Sequence, residues 1–191
     1  RSVAQIGTRL PPSLIAATLR SAFYSSGVAT RISSPPNARS PRAPMQQIRQ
    51  IALLGNYMPR RCGIATFTTD LTQAISEEFP AIRCDVVAMN DPGQHHAYGE
   101  RVRFEIAETD LVSYRRAADF LNVGGSEVLS LQHEYGIFGG RAGSHVLSLL
   151  RDLRMPIVTT LHTILSEPNP DQMRVMDELV RLSTRLVVMS E

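Results

Sequence analysis

IALLGNYMPRRCGIATFTTDLTQAISEEF, residues 51–79, reads as a strand, a loop and a helix in direct succession. Ile51–Leu54 is uniformly apolar, as in a strand covered on both faces. The helix expected over Ala65–Glu78 places Phe67, Leu71, Ala74 and Ile75 on one face at three- and four-residue spacings. Between them, Gly55–Ala65 holds Arg60, Arg61 and Gly63. The backbone N–H groups that open a helix carry partial positive charge and suit a phosphate or carboxylate. A glycine at that point lets a ligand approach the backbone closely. The competing reading is an ordinary connection with solvated arginines. Eleven residues, Gly55 to Ala65, exceed the ~2–6 usual for such a link, which favours a functional loop. The dinucleotide fingerprint G-x-G-x-x-G is absent, which disfavours a nicotinamide-binding enzyme.

The same alternation continues outward. Further strands are predicted at Cys84–Met89, Val102–Ile106, Val128–Gln132, Ile157–Leu161 and Leu186–Met189. Helices are predicted at Leu111–Leu121, at Ala142–Leu153 with Val146, Leu149, Leu150 and Leu153 inward, and from Asn169–Pro170 to about Ser183. Asn169 is an N-cap, Pro170 fits the first helical position and Gln172 the capping-box position. Strands alternating with helices of this length imply a doubly wound parallel sheet, whose ligands bind outside the carboxyl ends of the strands. The polar and glycine residues collect there: GNYMPRRCG after the first strand, NDPGQHH after the second, HEYGIFGGR after the fourth and HTILSEPNP after the fifth.

Composition bounds the chemistry. All 20 basic residues are Arg, so chemistry that requires a lysine, such as a P-loop or a Schiff base, is excluded. The net charge of +2 averages two unlike segments: residues 1–47 hold six Arg and no acid, and the remainder holds fourteen Arg against all 18 acids. The folded part is therefore mildly acidic and gives no support for nucleic-acid binding. Residues 1–47, rich in Arg, Ser and Pro, are expected to be a disordered extension outside the fold. A transit peptide or a mis-called start upstream of Met45 would explain the same composition. The folded unit is expected over 48–191. Cys62 and Cys84 lack C-x-x-C spacing and read as reduced thiols of a cytosolic protein. No apolar run approaches the ~20 residues of a membrane span.

Three further groups could carry chemistry. QHEYGIFGGR, residues 132–141, places His133 and Glu134 after a buried strand, with Tyr135, Gly139 and Gly140 leading into a helix. It begins like the zinc motif H-E-x-x-H, but Ile137 stands where the second His is required. A zinc hydrolase using His95, His96, His133 and Glu134 is accordingly a weak alternative. His162 also ends a strand at the same edge, where a lone His is as often structural as functional. His95–His96 reads as a surface loop, and His145 as a packed or solvated helix residue.

Residues 51–191 resemble the N-terminal domain of a family 4 ("group 1") glycosyltransferase of GT-B architecture. The resemblance rests on IALLGNYMPRRCGIATFTTDL, LSLQHEYGIFGG, PIVTTLHT and RLVVMSE. It implies a Rossmann-like doubly wound sheet forming the acceptor-side half of a two-domain enzyme, with a C-terminal donor domain missing. It implies transfer of a sugar, with retention, from a nucleotide-sugar co-substrate to a glycan or lipid acceptor, with no protein-held metal or other cofactor. Gly63 would lie near the donor diphosphate, His162 near the transferred sugar, and Tyr135, Gly139 and Gly140 along the acceptor side. Arg60, Arg61, His133 and Glu134 complete the expected substrate-binding set. Cys62 replaces one of the paired glycines usual in the first loop. Glu100 and Glu108 have the family's E-x7-E spacing but bracket a strand, which makes the match coincidental. The fragment alone would be inactive; the enzyme would be cytoplasmic, or peripheral at the inner membrane face if its acceptor is a lipid. A non-catalytic Rossmann-like module binding a phosphorylated small molecule or a protein partner is the alternative.

Overall fold

A computed structural model describes residues 48–188. The extension over 1–47 and the end of the last expected strand at Met189 lie outside the described residues. The strands are β1 (Gln50–Gly55), β2 (Arg83–Asn90), β3 (Val102–Ala107), β4 (Val128–His133), β5 (Ile157–Leu161) and β6 (Arg185–Val188). The α-helices are α1 (Gly63–Glu78), α2 (Leu111–Val123), α3 (His145–Asp152) and α4 (Pro170–Leu182). All strand pairs are parallel, in the order β3-β2-β1-β4-β5-β6. This is the Rossmann-like doubly wound arrangement, and the order changes direction between β1 and β4.

Alternation along each strand sorts the core into two layers. Ile51 and Leu53 of β1 face one way, with Val86 and Ala88 of β2, against Leu71 and Ile75 of α1. Ala52 and Leu54 face the other way, with Leu129 and Leu131 of β4, against α2, α3 and α4. The four residues Ile51–Leu54 are at most 1% exposed, which explains why this part of β1 contains no polar side chain. Each buried Ile or Leu side chain contributes about 1.5–3 kcal/mol.

Two helix starts differ from expectation. α1 begins at Gly63 rather than Ala65, because Cys62 is extended and its Sγ accepts from the Ala65 N–H, acting as the N-cap. α3 begins at His145 rather than Ala142. Ala142 (φ 51°) and Gly143 (φ 78°) are left-handed, which breaks the helix and leaves only a 3-10 turn over Arg141–Gly143. α4 starts as its sequence dictates: Asn169 caps the N–H groups of Asp171 and Gln172, and Gln172 Oε1 accepts from the Asn169 N–H.

Candidate active-site rim

The switch between β1 and β4 places their following loops side by side, with the loop after β5 next in line. Gly63 opens α1 at this rim, and a Cβ built there meets no atom within 4 Å. Gly63 is exposed at this end of the helix, while Cys62 Sγ takes up the Ala65 N–H one turn in. Arg61 is exposed beside it and has no ion-pair partner among the described residues. Arg60 is differently employed. Its Nη1 donates to Asn56 Oδ1 at 2.7 Å and its Nη2 lies 2.8 Å from Asp91 Oδ1, so it ties the loop after β1 to the loop after β2. Asn56 also donates to Cys62 Sγ at 3.3 Å, which fixes the turn into α1.

His162 follows β5, held by its backbone N–H donating to the His133 carbonyl at 3.0 Å. Its ring stands edge-on to Phe67 of α1, 4.8 Å between centroids, and its Nε2 is 3.0 Å from Oε1 of Gln132. Phe67, expected on the buried face of α1, is half-buried because it covers this imidazole. Burial pushes the His162 pKa down to about 4, so the ring is neutral near pH 7.

The loop after β4 is braced against the loop after β5. Glu134 Oε1 accepts from the Tyr135 N–H at 3.0 Å, and Oε2 accepts from the Thr163 hydroxyl. His133, on the opposite sheet face from His162, is fully buried between Tyr135 (edge-on, 5.0 Å) and Phe138 (stacked, 6.0 Å). Neither of its ring nitrogens has a hydrogen-bond partner among the described residues. Burial, with a smaller contribution from His162, lowers its pKa to about 4. Tyr135 is half-buried at the rim.

Gly139 and Gly140 are explained by contacts within the chain. A Cβ on Gly139 would lie 2.1 Å from the Glu108 carbonyl oxygen, and one on Gly140 (φ 81°) would lie 2.6 Å from both His145 and Ser144. The close backbone approach that these glycines permit is made by the protein itself. The Gly139 N–H donates to the Tyr114 hydroxyl, which donates in turn to the Glu108 carbonyl. His145 packs edge-on against Tyr114.

Arg61, Gly63, Glu134, Tyr135 and His162 thus belong to loops along one rim. His133 lies beneath that rim with no described polar partner, and Gly139 and Gly140 are packed behind it. His95 is exposed in the loop after β2, and His96 packs edge-on against Tyr98. Among the described residues no group of three or more His, Cys, Asp or Glu side chains is arranged to hold a metal ion. No described helix is long and apolar enough to cross a membrane. Asn56, Thr163 and Gln132 organise the rim without having been singled out from the sequence. Gln132 carried a signal: an amide inside a run of otherwise buried strand residues needs a partner.

No protein-family model matches the chain, and no match was found among curated proteins. Among solved structures, an alpha-glucosyltransferase in complex with UDP and a 13-mer DNA containing a HMU base aligns at TM-score 0.51 and 13% identity, covering 74% of this chain and 38% of the other. A second structure of an alpha-glucosyltransferase, with UDP and a 13-mer DNA containing a central A:G mismatch, aligns at TM-score 0.51 and 14% identity over 75% of this chain. The chain spans 38% of the length of each. The likeness is one of fold: a Rossmann-type parallel α/β sheet.

Proposed function

We propose that this chain is the acceptor-side lobe of a retaining glycosyltransferase of GT-B type, resembling family 4, that transfers a hexosyl group from a nucleotide-sugar to a glycan or lipid acceptor. The observation that carries the reading is the meeting of three loops beside the β1/β4 switch point, with an exposed glycine opening a helix on one side and a half-buried neutral histidine on the other. A departing nucleoside diphosphate gains negative charge, and the N–H groups at Gly63 with Arg61 would stabilise it without lysine or metal. Arg60 would act indirectly, by holding the loop. His162 would touch the transferred sugar as a hydrogen-bonding group, since a ring with so low a pKa is not an imidazolium at neutral pH and cannot serve as a general acid. Glu134 and Tyr135 would form the acceptor wall, backed by His133 and by the packed turn at Gly139–Gly140. The nucleotide would be gripped mainly by a second lobe. The enzyme would work in the cytoplasm, or peripherally at the inner membrane face with a lipid acceptor.

A second reading has one observation in its favour. The helix N-terminus at Gly63 and the exposed Arg61 need no second lobe to bind a phosphorylated small molecule, which fits a non-catalytic binding module.

The test is a transfer assay with UDP- and GDP-sugars, using the protein with its reading frame extended beyond Glu191. Sugar transfer that falls by two or more orders of magnitude in His162→Ala, with an unchanged unfolding midpoint, is the expected result. Absence of transfer from every nucleotide-sugar, with phosphorylated ligands still bound, would select the binding module.

A further inference from the structure

His162 is only as useful as the nitrogen it presents, and that depends on a residue behind it. Gln132 is 0% exposed and lies next to the switch point. Its Nε2 donates to Ser130 Oγ at 3.0 Å, two residues back on the same face of β4. With the amide nitrogen so engaged, Oε1 is the atom that meets His162 Nε2 at 3.0 Å. A carbonyl oxygen can only accept, so the shared proton belongs to the imidazole. Nδ1 of His162 then carries the lone pair and makes no hydrogen bond to a described residue. The neighbouring strand has been shaped around this arrangement. A Cβ on Gly55, at the end of β1, would lie 2.9 Å from Gln132 Cβ, so a side chain there would push the amide away from the ring.

We propose that Gln132, anchored by Ser130 and seated against Gly55, is a positioning residue that locks His162 in its Nε2–H tautomer and so leaves Nδ1 as the ring's hydrogen-bond acceptor. A neutral imidazole held this way accepts a hydrogen bond from a ligand hydroxyl and cannot act as its proton donor. The proposal rests on the reading of His162 as a substrate contact, but the tautomer lock is a property of this chain that is observable without turnover.

The experiment is a long-range nitrogen–proton correlation spectrum of the histidine-labelled chain at pH 7. The wild type is expected to show His162 with its proton on Nε2. Gln132→Leu, which keeps the volume and removes the acceptor, is expected to give a mixed or Nδ1–H tautomer. Gln132→Glu keeps an acceptor and adds a charge; it is expected to retain the Nε2–H form and to raise the His162 titration midpoint by at least one pH unit. The glutamate variant keeps the test open if the leucine variant does not fold. An Nδ1–H tautomer in the wild type, or an unaltered spectrum in Gln132→Leu with an unmoved midpoint in Gln132→Glu, overturns the proposal. In the extended protein Gln132→Leu is expected to lower kcat at least tenfold with KM within threefold. Full activity in Gln132→Leu alongside an inactive His162→Ala overturns the positioning role, whereas full activity in His162→Ala removes the catalytic reading and leaves the tautomer lock standing.

Discussion

Gly63 and Gly139 both precede helical turns, one at the rim and one packed behind it, and a methyl group added to each meets opposite surroundings. At Gly63 it enters open space, where alanine also has the better helix propensity. At Gly139 it drives into the Glu108 backbone at 2.1 Å, and backbone cannot step aside as a flexible side chain can. We therefore expect Gly139→Ala to cost about 1–3 kcal/mol by overpacking, and Gly63→Ala to leave stability within about 0.5 kcal/mol. Urea denaturation separates them, and equal losses in both variants would contradict this account of the two glycines. The sequence shows glycine at both positions and cannot distinguish them, because the nearest crowding atom at Gly139 comes from Glu108, a residue distant along the chain. The dual commitment of Arg60 to Asn56 and Asp91 was hidden for the same reason: Asp91 reaches it through the pairing of β1 with β2, not through local spacing.

At the scale of elements, β4 and β5 end in imidazoles on opposite faces, His133 and His162. Both have folded pKa values pushed down to about 4, mainly by burial, from an ordinary 6.5. The sign follows from proton counting. Below about pH 6.5 the unfolded chain binds protons that the folded chain refuses, so stability is fully present above that pH and is lost as the pH falls toward 4. Each ring contributes a slope of about 1.4 kcal/mol per pH unit in the middle of that window. His133→Leu removes one ring and its two unpartnered nitrogens, so it is expected to flatten the loss of stability between pH 6.5 and 5. Denaturation curves at those two pH values check this, and a slope as steep as that of the wild type would refute it. Strands and helices were legible here because buried β-branched runs and three- and four-residue spacings survive in sequence. The start of α3 was not, because Ala142 takes a left-handed conformation (φ 51°) that its side chain does not advertise. Nor does the sequence show which strand end faces which helix, and so the cover of His162 by Phe67 emerges only from the sheet order.

For the whole molecule, a parallel sheet with order β3-β2-β1-β4-β5-β6 has one place where loops diverge to leave a crevice, and the polar loops were correctly expected at the carboxyl ends that border it. The rim is held by cross-loop ties: Arg60 to Asp91, Glu134 to Thr163, and His162 to both Gln132 and the His133 carbonyl. These ties preorganise the loops before any ligand arrives, which is what electrostatic stabilisation of a leaving group requires. The most direct measurement is an amide chemical-shift titration of the chain with UDP-glucose and GDP-mannose at millimolar concentration. We expect perturbations confined to the rim, at Arg61–Ala65 and His162–Thr163. Shifts centred instead on the groove between α3 and α4 lined by Arg141, Arg151 and Glu178, or on the amino ends of the strands, would contradict the assignment of this rim as the reacting face.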